Sequence, residues 1–225
     1  MSQKIYRNRF FKTKEEAEKF KKEHGGALYA NIRYSHTKND YMIEAKQVAC
    51  KSDEFIAEHP YCVAWNQFVS VNHIQGDLLQ FTDADVIVHQ VNCQGVMGSG
   101  IARQIREQFP NTYDKYRELC GHFKGCTHLL LGTCQYVEEE NFVICNAFGQ
   151  NFYYRDTCQT QYNKLEECFR DIILRYPKKH IALPWKIGCG LAGGDWDKVY
   201  DMIYRIIAIE GECQVTLVEW PNAPI

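Results

Sequence analysis

The chain has 225 residues, of which 45% are hydrophobic and 24% charged, a balance typical of a globular protein with a sizeable core. Its net charge of -2 gives it no overall basic field for a nucleic-acid backbone. No apolar run approaches the ~18 residues that a membrane-spanning helix needs.

The cysteines and the N-terminus indicate the compartment. Met1–Phe10 is polar and basic and lacks the apolar segment of a signal peptide. We therefore expect a cytoplasmic protein whose eleven cysteines are reduced thiols. One pattern offers an alternative, because two Cys-x-His pairs have the donor types of a tetrahedral zinc site. Their spacing is not that of a familiar finger, and we predict no metal site at Cys120, His122, Cys126 and His128.

Residues 1–70 are predicted to form a small α+β domain of unknown function. Lys4–Phe11 alternates aromatic and polar residues and predicts a strand. Thr13 is expected to cap a helix, with Glu16 completing a capping box and Gly25-Gly26 ending the helix. Further strands are predicted at Ala27–Tyr34, Asp40–Val48 and Tyr61–Phe68.

Residues 71–225 are predicted to form a second, larger domain. Strand-like runs here alternate with helical ones, which predicts an α/β fold with a mainly parallel sheet and helices on both faces. The predicted strands are Val86–Val91, His128–Cys134, Phe142–Ala147, His180–Leu183 and Gln214–Glu219. The predicted helices are Ile101–Phe109, Thr112–Leu119, Thr160–Tyr176 and Asp195–Glu210.

Two glycine-rich segments each lead from a predicted strand into a helix. Residues 92–100 read Asn-Cys-Gln-Gly-Val-Met-Gly-Ser-Gly, and residues 184–194 read Pro-Trp-Lys-Ile-Gly-Cys-Gly-Leu-Ala-Gly-Gly. Glycine lets the backbone approach a ligand closely, and backbone amides ahead of a helix bind anions. Because open α/β sheets bind ligands at the carboxyl ends of their strands, these loops predict a site that holds a diphosphate from both sides.

Other classes of nucleotide site fit these loops less well. Either loop alone would be explained by a tight turn, but two such loops at two strand ends favour a binding site. Neither has the Lys-Ser or Lys-Thr that ends a P-loop, and neither matches the dinucleotide fingerprint in its usual first βαβ unit. An ordinary ATPase or dehydrogenase is therefore disfavoured.

Taken together, three motifs resemble the macrodomain family over about residues 73–220. Gly76-Asp77-Leu78-Leu79 is similar to the opening Gly-Asp-Ile, His89–Ala102 to the distal-ribose loop, and Pro184–Gly194 to the phosphate loop. The resemblance implies a three-layer α/β/α fold with a mixed, mainly parallel sheet. It is closest to the branch of ADP-ribose 1''-phosphate phosphatases and terminal ADP-ribose protein glycohydrolases, and similar sequences also occur in bacteriophages.

The resemblance implies a ligand, ADP-ribose or a derivative, and a role for each matching residue. Asp77 would accept a hydrogen bond from adenine, with Leu78 beside it, and Asn92 would hold the distal ribose. A cap or turn role is the alternative for both polar residues. No cofactor and no membrane partner is implied, and nucleic acid would enter only as an ADP-ribosylated substrate. The diphosphate would lie against Gly98, Ser99, Gly100, Ile101 and Ala102 and against Pro184, Gly188, Cys189, Gly190, Leu191 and Ala192.

The catalytic residues implied by the resemblance are His89 and Asn92. The glycohydrolases use a lysine and an aspartate at positions that match Asn146 and Ala192 here, which disfavours their lysine-adduct mechanism. Phosphatase-like members carry a histidine before the loop asparagine, and His89 matches it. Such a histidine would activate water or protonate a leaving oxygen, whereas the alternative is a hydrogen-bonded core histidine on the face of Ile87.

Three functions follow, in order of preference. The first is hydrolysis of ADP-ribose 1''-phosphate to ADP-ribose and phosphate. The second is removal of ADP-ribose from a modified protein or nucleic acid. The third is a module that binds ADP-ribose derivatives without turnover, which the missing lysine and aspartate would favour.

Overall fold

The computed structural model describes residues 2–24, 27–30, 53–210 and 213–221. The chain divides into two compact units, Ser2–Val69 and Ser70–Ile225. The predicted strand at residues 40–48 and the end of the one at residues 27–34 lie outside the described residues.

The N-terminal unit begins with the predicted strand and capped helix. These are β1 (Ser2–Phe11) and α1 (Lys14–His24). The predicted capping box is confirmed, because the Thr13 amide donates to the Glu16 carboxylate and the Glu16 amide donates to the Thr13 hydroxyl, both at 3.3 Å. The unit continues through β2 (Ala27–Ala30), α2 (Asp53–Glu58) and the first part of β3 (Tyr61–Gln75).

The C-terminal unit contains a six-stranded sheet in the order β3-β8-β7-β4-β6-β5. All neighbouring pairs in it are parallel except β5 with β6, so the predicted mixed, mainly parallel α/β sheet is confirmed. Its strands, besides the end of β3, are β4 (Val86–Asn92), β5 (Cys134–Glu138), β6 (Val143–Gln150), β7 (His180–Pro184) and β8 (Gln214–Glu219). Its helices are α3 (Gly100–Gln108), α4 (Pro110–His122), α5 (Tyr162–Arg175) and α6 (Trp196–Glu210).

Helices cover both faces of this sheet. One face packs on α3 and α4, where Ile87, Ile144 and Phe148 meet Ile105 and Tyr116 in a common core. On the other face, side chains of α5 and α6 line a small apolar space together with β7 and β8, formed by Phe169, Ile172, Ile203, Ile181 and Val215. The fold therefore has three layers.

The predicted strand His128–Cys134 is wrong. Thr127–Leu130 forms a 3₁₀ turn instead, and β5 begins only at Cys134. Gly132 lies between them at φ +82°, a backbone conformation that ends an extended run. The three consecutive leucines therefore do not mark a strand: Leu130 is buried in the core, whereas Leu129 is 57% exposed.

The two Cys-x-His pairs, which offered a zinc site only as an alternative, lie on different elements. Cys120 and His122 belong to α4, whereas Cys126 precedes the 3₁₀ turn that contains His128. Within the described ranges, no group of three or more His, Cys, Asp or Glu side chains is placed to hold a metal ion. Over the same ranges, no helix is both long and apolar enough to cross a bilayer.

Candidate functional site

The carboxyl ends of the parallel strands share one edge of the C-terminal sheet. Asp77 follows β3, the second glycine loop (residues 184–194) follows β7, and the first glycine loop (residues 92–100) follows β4. Because β4 and β7 are parallel neighbours, these two loops lie side by side. Asp77 is three strand spacings away from the first loop, or about 14 Å at ~4.8 Å per spacing.

Asn92 organises the first glycine loop. Its side-chain oxygen accepts from the amides of Gln94 and Val96 at 2.9 and 3.3 Å, and its side-chain nitrogen donates to the Val96 carbonyl at 2.6 Å. The buried Tyr116 hydroxyl also contacts this side-chain oxygen, at 3.0 Å. Asn92 is only 6% exposed. Its predicted contact with a ribose stays a prediction, whereas its local turn role is observed.

The first loop ends at the N-terminus of α3. Ser99 precedes this helix without a side-chain capping hydrogen bond in the described structure, and Gly100 has φ +55°. The first amides of a helix have no partner within it, and their positive end attracts anions. The predicted diphosphate contacts at residues 98–102 therefore fall where an anion would be stabilised.

The second glycine loop is a series of turns held by its own backbone. The amides of Ile187, Cys189, Gly193 and Gly194 donate to carbonyls within the loop at 2.9 to 3.1 Å. Lys186 has φ +59°, which is uncommon for a residue other than glycine and marks local strain. The shape of the loop is thus maintained by hydrogen bonds between its own backbone groups.

Three predicted ligand contacts of this loop differ in accessibility. Leu191 is 54% exposed, whereas Ala192 is buried and its carbonyl accepts from the amides of Gln159 and Thr160. The Cys189 thiol lies 3.3 Å from the Ile187 carbonyl, and burial raises the pKa of Cys189 to about 12. This thiol is therefore protonated near neutral pH and is no nucleophile.

Gln90, which sequence reasoning missed, lies on β4 two residues before the first loop and is linked through Thr160 to the second loop. Its side-chain nitrogen donates to Gln150 at 2.7 Å and to the Thr160 hydroxyl at 3.0 Å, and this hydroxyl donates to the Gly188 carbonyl at 2.6 Å. The Gln90 side-chain oxygen is buried and has no hydrogen-bond partner among the described residues. A Cβ atom on Gly149 or Gly188 would come within 2.7 or 2.6 Å of it. Only glycine fits at these two positions without displacing Gln90.

His89 lies on the face of β4 opposite to Gln90. This is the face of Ile87, as predicted from the spacing of the two residues. It is fully buried, and its Nε2 is 2.6 Å from the side-chain oxygen of Asn146 on β6. Asn146 in turn donates to Gln135 on β5 at 3.0 Å. Burial lowers the pKa of His89 to about 4, against the opposing effect of the Asn146 hydrogen bond, so His89 is neutral at pH 7. Its position argues against direct contact with a ligand at the sheet edge.

Asp77 and Leu78, the two residues predicted at the adenine end, differ in their exposure and in their local role. One carboxylate oxygen of Asp77 accepts from the Leu79 amide at 2.9 Å, so the side chain caps the 3₁₀ turn Leu78–Gln80. Asp77 is partly exposed, whereas Leu78 is buried in the core at 3% exposure. The cap role is therefore observed for Asp77, its contact with adenine stays a prediction, and Leu78 serves packing.

The macro domain model matches residues 88–203, which include both glycine loops. The chain belongs to the macrodomain family. Among curated macrodomain relatives, the chain is 45% identical over 69 residues to an ADP-ribose 1''-phosphate phosphatase of Scheffersomyces stipitis, covering 28% of this chain and 39% of that protein. It is 28% identical over 146 residues to a DNA ADP-ribosyl glycohydrolase of Thermus aquaticus, covering 61% of this chain and 38% of that protein. The chain thus spans less than half of either relative.

Solved structures agree on the macrodomain fold. A protein of unknown function from Bacteroides thetaiotaomicron matches with a TM-score of 0.59 and 26% identity, covering 67% of this chain and 98% of that one. The macrodomain of Mycobacterium tuberculosis DarG matches with a TM-score of 0.57 and 23% identity, covering 68% of this chain and 99% of that one. The macrodomain part of the chain is thus comparable to a whole macrodomain.

Proposed function

We propose that this macrodomain binds ADP-ribose derivatives along the carboxyl edge of its sheet and hydrolyses ADP-ribose 1''-phosphate to ADP-ribose and phosphate. The observation that carries the proposal is the pair of adjacent glycine loops after β4 and β7, one of which leads into an uncapped helix N-terminus. The likeness to ADP-ribose 1''-phosphate phosphatases supports the choice of substrate.

The strand order gives the proposed orientation of the ligand. Adenine lies at Asp77 after β3, and the diphosphate lies two to three strand spacings, or about 10–14 Å, further along, between the loops after β7 and β4. The distal ribose then lies beyond the diphosphate, toward the end of β6. Amides of both loops stabilise the negative charge of the diphosphate and fix the anomeric end.

In the proposed reaction, the oxygen of a water molecule bonds to the terminal phosphorus, and the water gives up one proton. The bond between phosphorus and the anomeric oxygen breaks, and that oxygen takes up one proton, so that ADP-ribose leaves and the water oxygen remains on the phosphate. His89 is a positioning residue in this scheme, because its hydrogen bond to Asn146 fixes β4 just ahead of Asn92. We do not assign to Asp195 the role of the base that accepts the proton of water. Its side chain accepts from the Asp197 amide at 3.0 Å and caps α6.

A second candidate is removal of ADP-ribose from a modified nucleic acid or protein. It is supported by the likeness to a DNA ADP-ribosyl glycohydrolase over 61% of the chain. The positions that match the glycohydrolase lysine and aspartate hold Asn146, which is fully buried, and Ala192. The second candidate would therefore need a mechanism without a lysine adduct. The third candidate is a module that binds ADP-ribose derivatives without turnover.

Calorimetry with ADP-ribose and AMP tests the binding part of the proposal. We expect micromolar affinity for ADP-ribose, about -8 kcal/mol. AMP should bind at least tenfold more weakly, because it lacks the second phosphate and the distal ribose that the loops would hold. Equal affinities would contradict the proposed orientation. Release of phosphate from ADP-ribose 1''-phosphate by the purified protein then tests turnover.

Replacing Asp77 with alanine tests the adenine end of the site. The variant should bind ADP-ribose more weakly by roughly 1.5–3 kcal/mol, through loss of one charge-assisted hydrogen bond. Since the lost cap belongs to a single 3₁₀ turn, the melting temperature should change by only a few degrees. Unchanged affinity in the folded variant would leave Asp77 as a structural cap alone.

A further inference from the structure

The segment that follows β6, residues 151–160, joins the two glycine loops. At its start, the Asn151 carbonyl accepts from the Cys93 amide of the first loop at 3.1 Å. At its end, the carbonyl of Ala192 in the second loop accepts from the Gln159 amide at 2.8 Å. Both ends of this segment, which we call the bridging segment, are therefore held against the candidate site.

The network around Gln90 holds the bridging segment at a further point. Gln90 donates to the side-chain oxygen of Gln150 at 2.7 Å, and the side-chain nitrogen of Gln150 donates to the Phe152 carbonyl at 2.6 Å. The ring of Phe152 then stacks with that of Tyr154, with a centroid distance of 5.3 Å and an interplanar angle of 24°. Contacts with the site therefore continue along the bridging segment as far as Tyr154.

Arg155, the next residue, is exposed and carries an unpaired guanidinium group. Within the described structure it forms no hydrogen bond, ion pair or ring contact, not even with the adjacent Asp156. Each of the other arginines described in the C-terminal unit has a carboxylate or an aromatic ring as its partner: Arg103, Arg106, Arg117, Arg170, Arg175 and Arg205. The guanidinium group of Arg155 is therefore available to an anionic ligand.

The strand order places Arg155 on the side of the anomeric end of the proposed ligand. β6 neighbours β4 on the side away from β7, β8 and β3. A ligand with adenine at Asp77 and its diphosphate between the loops therefore directs its anomeric carbon toward β6. Arg155 is four residues from each anchor of the bridging segment, Asn151 and Gln159. Because four extended residues span at most about 14 Å, Arg155 stays beside the two loops.

We propose that Arg155 binds the phosphate group attached to the anomeric carbon and is a specificity-determining residue for ADP-ribose 1''-phosphate. This inference rests on the ligand orientation and the reaction given under the proposed function. A phosphate monoester carries between one and two negative charges near pH 7, and a guanidinium group matches two of its oxygens with a pair of parallel N–H donors. ADP-ribose has a hydroxyl group at this position and offers Arg155 no anion.

Arg155 supplies a discrimination that the glycine loops do not. The loops offer backbone amides to the diphosphate, which ADP-ribose and its 1''-phosphate share, whereas Arg155 meets the one group by which the two ligands differ. During hydrolysis the same contact stabilises negative charge on the oxygens of the phosphoryl group. The product ADP-ribose lacks this phosphate, so the contact also favours binding of the substrate over retention of the product.

The test uses the full-length protein and a substrate analogue in which a CH₂ group replaces the oxygen between the anomeric carbon and phosphorus. This phosphonate is not hydrolysed, so calorimetry measures its affinity independently of turnover. The wild type should bind it roughly 10- to 100-fold more tightly than ADP-ribose, because charge-assisted hydrogen bonds are added. Release of phosphate from ADP-ribose 1''-phosphate is measured in parallel.

Three variants locate the source of this preference. Arg155→Met should bind ADP-ribose within twofold of wild type and lose most of its preference for the phosphonate, and its KM for ADP-ribose 1''-phosphate should rise. Arg155→Lys keeps the charge but not the paired donors, so it should retain part of the preference. Arg205→Met is the matched control, because it removes the same charge from α6 about 13 Å along the helix from its start. It should change neither affinity, and melting temperatures show whether each variant is folded.

Each result decides a different point. A wild type that binds the phosphonate no more tightly than ADP-ribose would overturn the inference, and continued release of phosphate would leave the proposed function standing. Equal losses for both ligands in folded Arg155→Met, or the same loss of preference in Arg205→Met, would also overturn it. A wild type that prefers the phosphonate through Arg155 but releases no phosphate would refute the proposed reaction and support the inference. A wild type that does not bind ADP-ribose would refute the proposed function, and with it the inference.

Discussion

Replacing Gly188 with alanine is expected to weaken ADP-ribose binding by roughly 100-fold, or about 3 kcal/mol. Gly188 has φ +73°, and an alanine in this conformation costs about 1–2 kcal/mol. The new Cβ would lie 2.6 Å from the Gln90 side-chain oxygen and 3.2 Å from the Thr160 hydroxyl oxygen. Both side chains belong to the hydrogen-bond network that holds the Gly188 carbonyl, so the loop must move or lose hydrogen bonds worth about 1–3 kcal/mol.

Gly121→Ala in α4 is the matched control, because Gly121 lies outside both glycine loops. Gly121 does not have a positive φ, and among the described atoms nothing lies within 4 Å of the position of its Cβ. Calorimetry should find its ADP-ribose affinity within a few-fold of wild type, with melting temperatures recorded for both variants. If Gly188→Ala binds ADP-ribose as tightly as Gly121→Ala, the shape of the second loop does not determine binding.

Acidification is expected to destabilise the protein through His89, by about 3 kcal/mol as pH falls to 4. The folded state holds the pKa of His89 at about 4, below its ordinary value of 6.5. Above pH 6.5 neither state binds this proton, and the group has no effect on the pH dependence of stability. As pH falls from 6.5 toward 4, the unfolded chain binds a proton that the buried ring does not. Stability is therefore lost in this range.

His89→Gln should remove this contribution and keep a partner for Asn146. Urea denaturation at pH 7.5 and 5.0 should give a smaller loss of unfolding free energy for the variant, by about 2 kcal/mol. The contributions of other groups, such as Asp85, to the pH dependence of stability cancel in the comparison, because both proteins contain these groups. An identical pH dependence would mean that His89 is not buried as a neutral ring.

The same variant separates the two roles of His89 in turnover. A positioning role predicts that kcat on ADP-ribose 1''-phosphate changes by less than about tenfold and that the acidic limb of the pH–rate profile stays in place. A histidine that moves a proton in the reaction predicts a fall in kcat of about 10²–10⁴ with KM unchanged. That larger fall would return His89 to the catalytic machinery.

The elements with strong local signals were predictable. The capping box at Thr13 and the helical periodicity of α5 lie within a few residues of sequence, and both are confirmed. The strand predicted at residues 128–134 failed because three leucines gave an apolar run, while the conformation of Gly132 depends on its surroundings. Gly132, a single residue at positive φ, was enough to end the extended conformation.

The network inside the site was harder to predict, because it joins residues far apart in sequence. Gln90 contacts Gln150 and Thr160, which are 60 and 70 residues away. One signal was available: the alternation that placed His89 on the face of Ile87 also placed Gln90 on the other face. His89 was selected as the candidate because a histidine can transfer protons near neutral pH. The helices that bury His89 could be seen only in the fold.

The interactions of Asn92 with Gln94, Val96 and Tyr116 have a kinetic consequence. These hydrogen bonds are made by the protein's own atoms, so we expect the first loop to keep its turn in the free protein and binding not to wait for the loop to become ordered. Association with ADP-ribose should therefore follow a single exponential whose rate rises linearly with ligand concentration and does not level off. Differences in affinity between ADP-ribose derivatives should then appear mainly as differences in dissociation rate.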